Sequence, residues 1–388
     1  MCRIFFGLAT MLAISAIGCG ENAAPVGQSC GKTGCAGPFD ALVVVSDYMS
    51  SEVGAIALDG GTAFWTSVDL GADPALSVSR GRAFLLARDI GTFFDLDPRT
   101  GTPLPGGKYN ANDPDQPGTS DPYDVAVAPD GSLWIVRYDT PTLLILAADG
   151  SRKATIDLSS YGSDGNPQAS AIRIVDGIGD PPASKAFVAL QRLDPMLEPD
   201  EASMMLRIDV ATETVEAQIP LAGWNAFTVS EYDESAGALY IAESGSFQVA
   251  GQPNAGIERF DVASSTSTML IAKDVLGDTP VEVAVTSGCG VVIVADASPA
   301  NLTSLLSFDP ASGTVLRTKA APILATPGYF LQGLAWIGDS ELLVGEGDPT
   351  MPLAAKIHVF DRTGACTLTE RATTLPVPLK AIAIHATM

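Results

Sequence analysis

The chain has 388 residues, 46% hydrophobic and 17% charged, with 38 Gly and 27 Pro. This is ample material for a core built from short elements joined by many turns. The 45 acidic residues outnumber the 22 basic ones, for a formal net charge of −23. Such a surface repels phosphate backbones and anionic lipid, which excludes nucleic acid as a partner and a polybasic membrane footprint.

In chain order, the first element is the opening "MCRIFFGLATMLAISAIGCGENAAPVGQSC". Arg3 is a minimal positive start, and the apolar run Ile4 to Ile17 is short for a membrane span. The run ends in Ala16-Ile17-Gly18-Cys19, which resembles the lipobox of bacterial lipoproteins, although Ala16 stands where Leu is commonest. The resemblance implies a signal peptide over 1–18, a lipidated Cys19 at the mature N-terminus, and a lipid anchor in the bacterial cell envelope. An outer-membrane destination is implied by Gly20, which follows the cysteine. An ordinary secretory signal cut near Cys19 is the other reading. Residues 19–38 are small, polar and turn-rich without a period of 2 or 3.6, which predicts a flexible tether.

From residue 39 the chain repeats a phrase. Two or three β-formers, an Asp, a short run of small residues and another extended stretch recur at Asp59, Asp97, Asp149, Asp209, Asp261, Asp309 and Asp361, as in "FDLDPRTGTPL" and "SFDPASGTV". An Asp in this setting predicts a turn, because its carboxylate accepts a bond from a backbone N–H about two residues on. Upstream of each Asp lies a Val/Ile/Leu-rich run such as "LWIVRYD" or "VVIVADA", and before six of these comes a third run such as "YDVAVAPDG" or "VEVAVTSG". With the strand after each Asp, every unit is a four-strand meander, A to D. The first unit lacks strand A, and "KAIAIHAT" at the far end has the pattern to supply it.

These repeats predict an all-β fold over 39–388. It is a seven-bladed β-propeller of four-stranded blades, closed by pairing the C-terminal strand with the first blade. The long, irregular fourth and fifth units leave six or eight as competing counts. The pattern resembles propellers of the YVTN, NHL and quinoprotein-like kind. A–B and C–D turns then share one rim, the bottom, where the tether enters; B–C and D–A loops share the top. An isolated propeller of this kind is expected to be a monomer.

Cys30, Cys35, Cys289 and Cys366 form an even set in an exported chain, and disulfides are the default. Three pairings are open; Cys30–Cys35 with Cys289–Cys366 is favoured, because the latter two fall on the bottom rim of neighbouring blades. Neither the thiols nor the two His residues, His358 and His385, sit at metal-ligand spacing. No nucleophile elbow, phosphate loop or zinc motif is present, so no catalytic residue, cofactor or metal is assigned.

One register carries more information. Just past strand B, entering the top rim, the blades present Ser46, Arg88, Arg137, Gln191, Glu243, Asp296 and Glu346. Blades two and three are basic there, with Arg192 extending this toward blade four, and five to seven are acidic. Beside them the strand-A entries offer Tyr123, Asp124, Ser170, Asn225, Glu282, Gln332 and Lys380. This predicts a top face that recognises a protein, peptide or glycan, with positive and negative halves. The alternative is a lactonase-like hydrolase with Ca²⁺ over the central channel, held by residues such as Asp124 and Glu282.

Overall fold

The computed structural model describes residues 39–65, 70–247, 254–295, 302–328, 330–347 and 354–387. These form seven antiparallel sheets arranged as blades, five of four strands and two of five. Strand A of blades two to seven is Pro74–Ser79, Pro122–Val127, Ala169–Ile178, Ala226–Val229, Thr279–Thr286 and Leu331–Ile337. Strand B of blades one to seven is Ala41–Ser46, Arg82–Ala87, Leu133–Arg137, Ala183–Leu190, Ala238–Glu243, Cys289–Ala295 and Glu341–Glu346. Blades six and seven each carry a short additional strand, Leu324–Pro327 and Leu375–Pro376, beside strand C.

The missing strand A of blade one is Ala381–Ala386, which pairs antiparallel with Ala41–Ser46. Ala41 faces Ala386 and Val43 faces Ile384, so the last strand closes the ring on the first blade. Both ends of the domain meet at the bottom rim, where Thr387 N–H donates to Asp40 O at 2.9 Å.

The hairpin reading of the repeated Asp residues holds at six of the seven. Asp59, Asp97, Asp149, Asp209, Asp261 and Asp309 each accept from a backbone N–H two or three residues on. Asp361 differs and binds the Arg371 guanidinium instead. At Asp209 these bonds, with the Lys185 amine foremost, hold the carboxyl down at about 2.

The core is seven apolar interfaces between blades, and a strand B such as Leu133–Arg137 feeds one face into the interface on each side of its blade. Trp134 and Val136 pack toward Ile172 and Val188 of blade four, whereas Leu133 and Ile135 pack toward Phe84 and Leu86 of blade two. This explains why strand B reads as an unbroken apolar run: a sheet buried on both faces has no polar side to alternate with. The Cys289–Cys366 disulfide joins blades six and seven on the bottom rim. Cys19, Cys30 and Cys35 lie outside the described residues.

Candidate functional site

One feature of strand A was not legible in the sequence. In six blades its pairing with strand B skips one residue near the top: Tyr123, Ser170, Phe227, Val281, Gly333 and Ile382. Only blade two pairs without a slip. Each skip is a β-bulge, which leaves backbone groups unpaired and turns the following side chain sideways. Neighbouring blades use those groups. Asp124 accepts Ile172 N–H of blade four at 3.0 Å, and Glu282 accepts Gly333 and Leu334 N–H of blade seven at 2.9 and 2.7 Å. Asp124 also accepts Ser77 Oγ and Arg173 Nη1, both at 2.5 Å. The two carboxylates considered as metal ligands thus join neighbouring blades. Among the described residues no three His, Cys, Asp or Glu side chains gather as a metal site.

At the top rim, Arg88, Tyr123 and Tyr138 form a three-layer stack. The Arg88 guanidinium lies 3.9 Å from the Tyr123 ring centroid, and Tyr123 stacks on Tyr138 at 5.1 Å. Asp73 and Asp121 bind Arg88 at 2.9 and 2.8 Å, and the Tyr138 hydroxyl donates to Gln191 Oε1 at 3.1 Å. Burial raises the Tyr123 and Tyr138 phenols above the usual tyrosine range, so both stay protonated. On blade one the Tyr48 hydroxyl donates to Gln332 Oε1 of blade seven at 3.2 Å. Arg88, Tyr123, Gln191 and Gln332 thus share one polar and aromatic arc that crosses blades seven and one to four.

Other residues of the register turn inward. Arg137 is 0% exposed and donates to Ala111 O, Thr142 O and Asp113. Glu243 is equally buried; its Oε2 accepts Ser203 Oγ at 2.8 Å and its Oε1 has no partner. Burial, helped by the neighbouring Glu258, raises its carboxyl well above the carboxylate range. Asn225 donates to Gly245 O, and Glu346 holds His358 and Lys356. Lys380 is buried beside Glu282; burial pushes its amine down to about 8, against the pull of that carboxylate. Asp296 lies outside the described residues. The rim therefore displays less charge than its residue types suggest: the two arginines of the basic half are neutralised by Asp73, Asp113 and Asp121. Polar residues at strand ends look alike in sequence whether they face solvent or a neighbouring blade, which is why the split appeared sharper there.

The rim also displays apolar side chains. Of the nine exposed large hydrophobic side chains among the described residues, seven lie on top loops or at a strand's top end: Tyr48, Met49, Met196, Leu197, Phe247, Val275 and Leu302. Phe247 packs edge-on against the bulge residue Phe227 at 5.4 Å.

No family model and no curated protein matches this chain. Solved structures share its fold at low identity. A candidate 6-phosphogluconolactonase from Bacteroides uniformis is 11% identical with a TM-score of 0.58, covering 90% of this chain and 99% of that one. Virginiamycin B lyase from Staphylococcus aureus, solved as an inactive variant with quinupristin, is 14% identical with a TM-score of 0.52, covering 83% and 91%. The WD40 repeats of RRP9 are 12% identical with a TM-score of 0.52, covering 80% and 82%.

Proposed function

We propose that this protein is an exported, lipid-anchored binding module whose top rim engages a protein, peptide or glycan. The observation that carries this reading is the gathering of exposed Tyr48, Met49, Met196, Leu197 and Phe247 on one rim, beside the Arg88–Tyr123–Tyr138 stack. Scattered apolar residues need no explanation, but a concentration on one face of a propeller marks a contact surface. Methionine adapts to irregular partners, and aromatic rings lose little side-chain entropy on docking. The lipid anchor at Cys19 would hold the bottom rim toward the membrane in the cell envelope, leaving the top facing away. The lactonase-like alternative has its support in fold likeness, which does not carry activity. Its two carboxylate candidates, Asp124 and Glu282, already serve backbone amides.

The test joins Met49→Ser, Met196→Ser, Leu197→Ser and Phe247→Ser in one variant, compared with wild type in crosslinking captures from the native envelope and on a glycan array. Loss of the wild-type partners at unchanged melting temperature is expected. Capture of the same partners in the same amounts overturns the reading. Cys19→Ser should shift the protein from the membrane to the soluble exported fraction.

A further inference from the structure

The central channel holds a cavity of about 1010 Å³ whose lining runs from the level of Glu282 down to the A–B turns of the bottom rim. Its walls are chiefly Val, Ile, Ala and Leu from the strand-A edges, and two aromatic side chains, Tyr232 and Trp336, lie among them. The charged lining is two guanidinium groups, Arg80 and Arg173, against the carboxylates of Asp176, Glu231, Glu234 and Glu282, with His385 beside them.

The cations are committed. Arg173 has five N–H donors, and all have acceptors: Nε to Ser230 O at 3.2 Å, Nη1 to Asp124 at 2.5 Å and Ile172 O at 2.8 Å, and Nη2 to Val229 O at 3.1 Å and Glu231 at 3.0 Å. Arg80 donates to Val127 O at 2.9 Å and to Asp176 at 2.7 Å. Burial holds His385 below the ordinary histidine range, so it adds no positive charge at neutral pH. Three exposed carboxylates line the channel, of which Asp176 has the same oxygen on Arg80 and Ser184. Glu231 gives one oxygen to Arg173 and is 56% exposed, and Glu234 is exposed as well. The indole Nε1 of Trp336 is buried without a hydrogen-bond partner.

We propose that the lower channel is a binding site for an organic cation, a quaternary or protonated amine carrying an apolar group. Apolar walls take the hydrocarbon part, Glu231 and Glu234 neutralise the charge, and aromatic rings favour a cation over a neutral isostere. An anion would meet guanidinium groups already held by acceptors and the exposed carboxylates of Glu231, only one oxygen of which is on Arg173, and Glu234. A hydrated inorganic ion would gain little from walls of valine and isoleucine. This site is separate from the top rim and does not depend on the function proposed there.

The test is equilibrium dialysis of the full domain with benzyltrimethylammonium as probe, and with benzyl alcohol and CaCl₂ as comparison ligands. Expected is saturable one-to-one binding of the ammonium, weakened about tenfold by Glu231→Gln with Glu234→Gln at unchanged melting temperature. The same binding should be unaffected by the top-rim serine variant and be accompanied by a fluorescence change that Trp336→Phe abolishes. Absence of saturable binding, equal binding of benzyl alcohol, displacement by equimolar Ca²⁺, or undiminished affinity in the double Gln variant each overturns the proposal.

Discussion

Single side chains in this propeller are held by how little room a bladed ring leaves at its top. Gly223 is the sharpest case: a Cβ there would sit 2.2 Å from the Cγ of Glu243, while the Gly223 N–H donates to Glu258 at 2.9 Å. Gly223→Ala is expected to cost about 1–3 kcal/mol in urea unfolding, because the buried carboxyl has nowhere to retreat. Lys380 gives a second test. Its amine titrates at about 8 in the folded chain against 10.5 as the reference for an unfolded one, so between those values the unfolded chain holds more protons. Alkali therefore favours folding: the contribution of Lys380 is least below about pH 8 and rises as pH climbs toward 10.5. Lys380→Met removes that dependence. Unfolding free energies of wild type and variant, measured at pH 7.5 and 10, should move relative to each other in favour of wild type at the higher pH. A difference that stays constant would mean that the amine is not desolvated.

At the scale of the element, the recurrent bulge in strand A decides what the candidate site contains. Sequence reading finds strand A by its apolar run and finds Asp124 and Glu282 as polar interruptions in it. Nothing in a single sequence states that the partner strand skips a residue at Tyr123 or Val281. Without the skip, a carboxylate at the channel mouth looks like a ligand for something absent; with it, the same group caps backbone amides that the next blade's bulge sets free. The turns were legible because Asp followed by small residues has a local mechanism, which operates at Asp309 as it does at Asp97. The buried fates of Arg137 and Glu243 were not, because they depend on Asp113 and Ser203, which come from elsewhere in the ring. The capping role predicts that Glu282→Ala destabilises the domain by about 1–3 kcal/mol for each amide it strands. Faster hydrogen exchange at Gly333 and Leu334 should accompany the loss, and added Ca²⁺ should not restore it. Recovery of stability by the metal would return Glu282 to a ligand role.

At the scale of the molecule, the ring is secured at two neighbouring places. The disulfide between Cys289 and Cys366 ties blades six and seven across 77 residues, and reducing it should cost about 2–4 kcal/mol. The strand Ala381–Ala386 makes the closure itself, and its pattern was the part of the fold most plainly written in the sequence: an orphan strand A at one end and a unit lacking one at the other. Truncation after Leu379 removes Ile382 and Ile384, which are 8% and 2% exposed, and each takes about 1.5–3 kcal/mol of apolar burial with it. It also strips Ala41–Val45 of its inner partner and leaves Gly333, which sits 3.0 Å from Ile384 if given a Cβ, facing an empty edge. The freed strand Ala41–Ser46 is a wholly buried run of Ala, Leu, Val and Ser, the kind of edge that pairs with another chain. The truncated protein should therefore melt well below the intact one and self-associate as it does so, even with its disulfide formed. Mixing it with a synthetic peptide of residues 380–388 should raise the melting temperature in a saturable way. A truncated chain that melts like the intact one and ignores the peptide would mean that the ring stands without its closing strand.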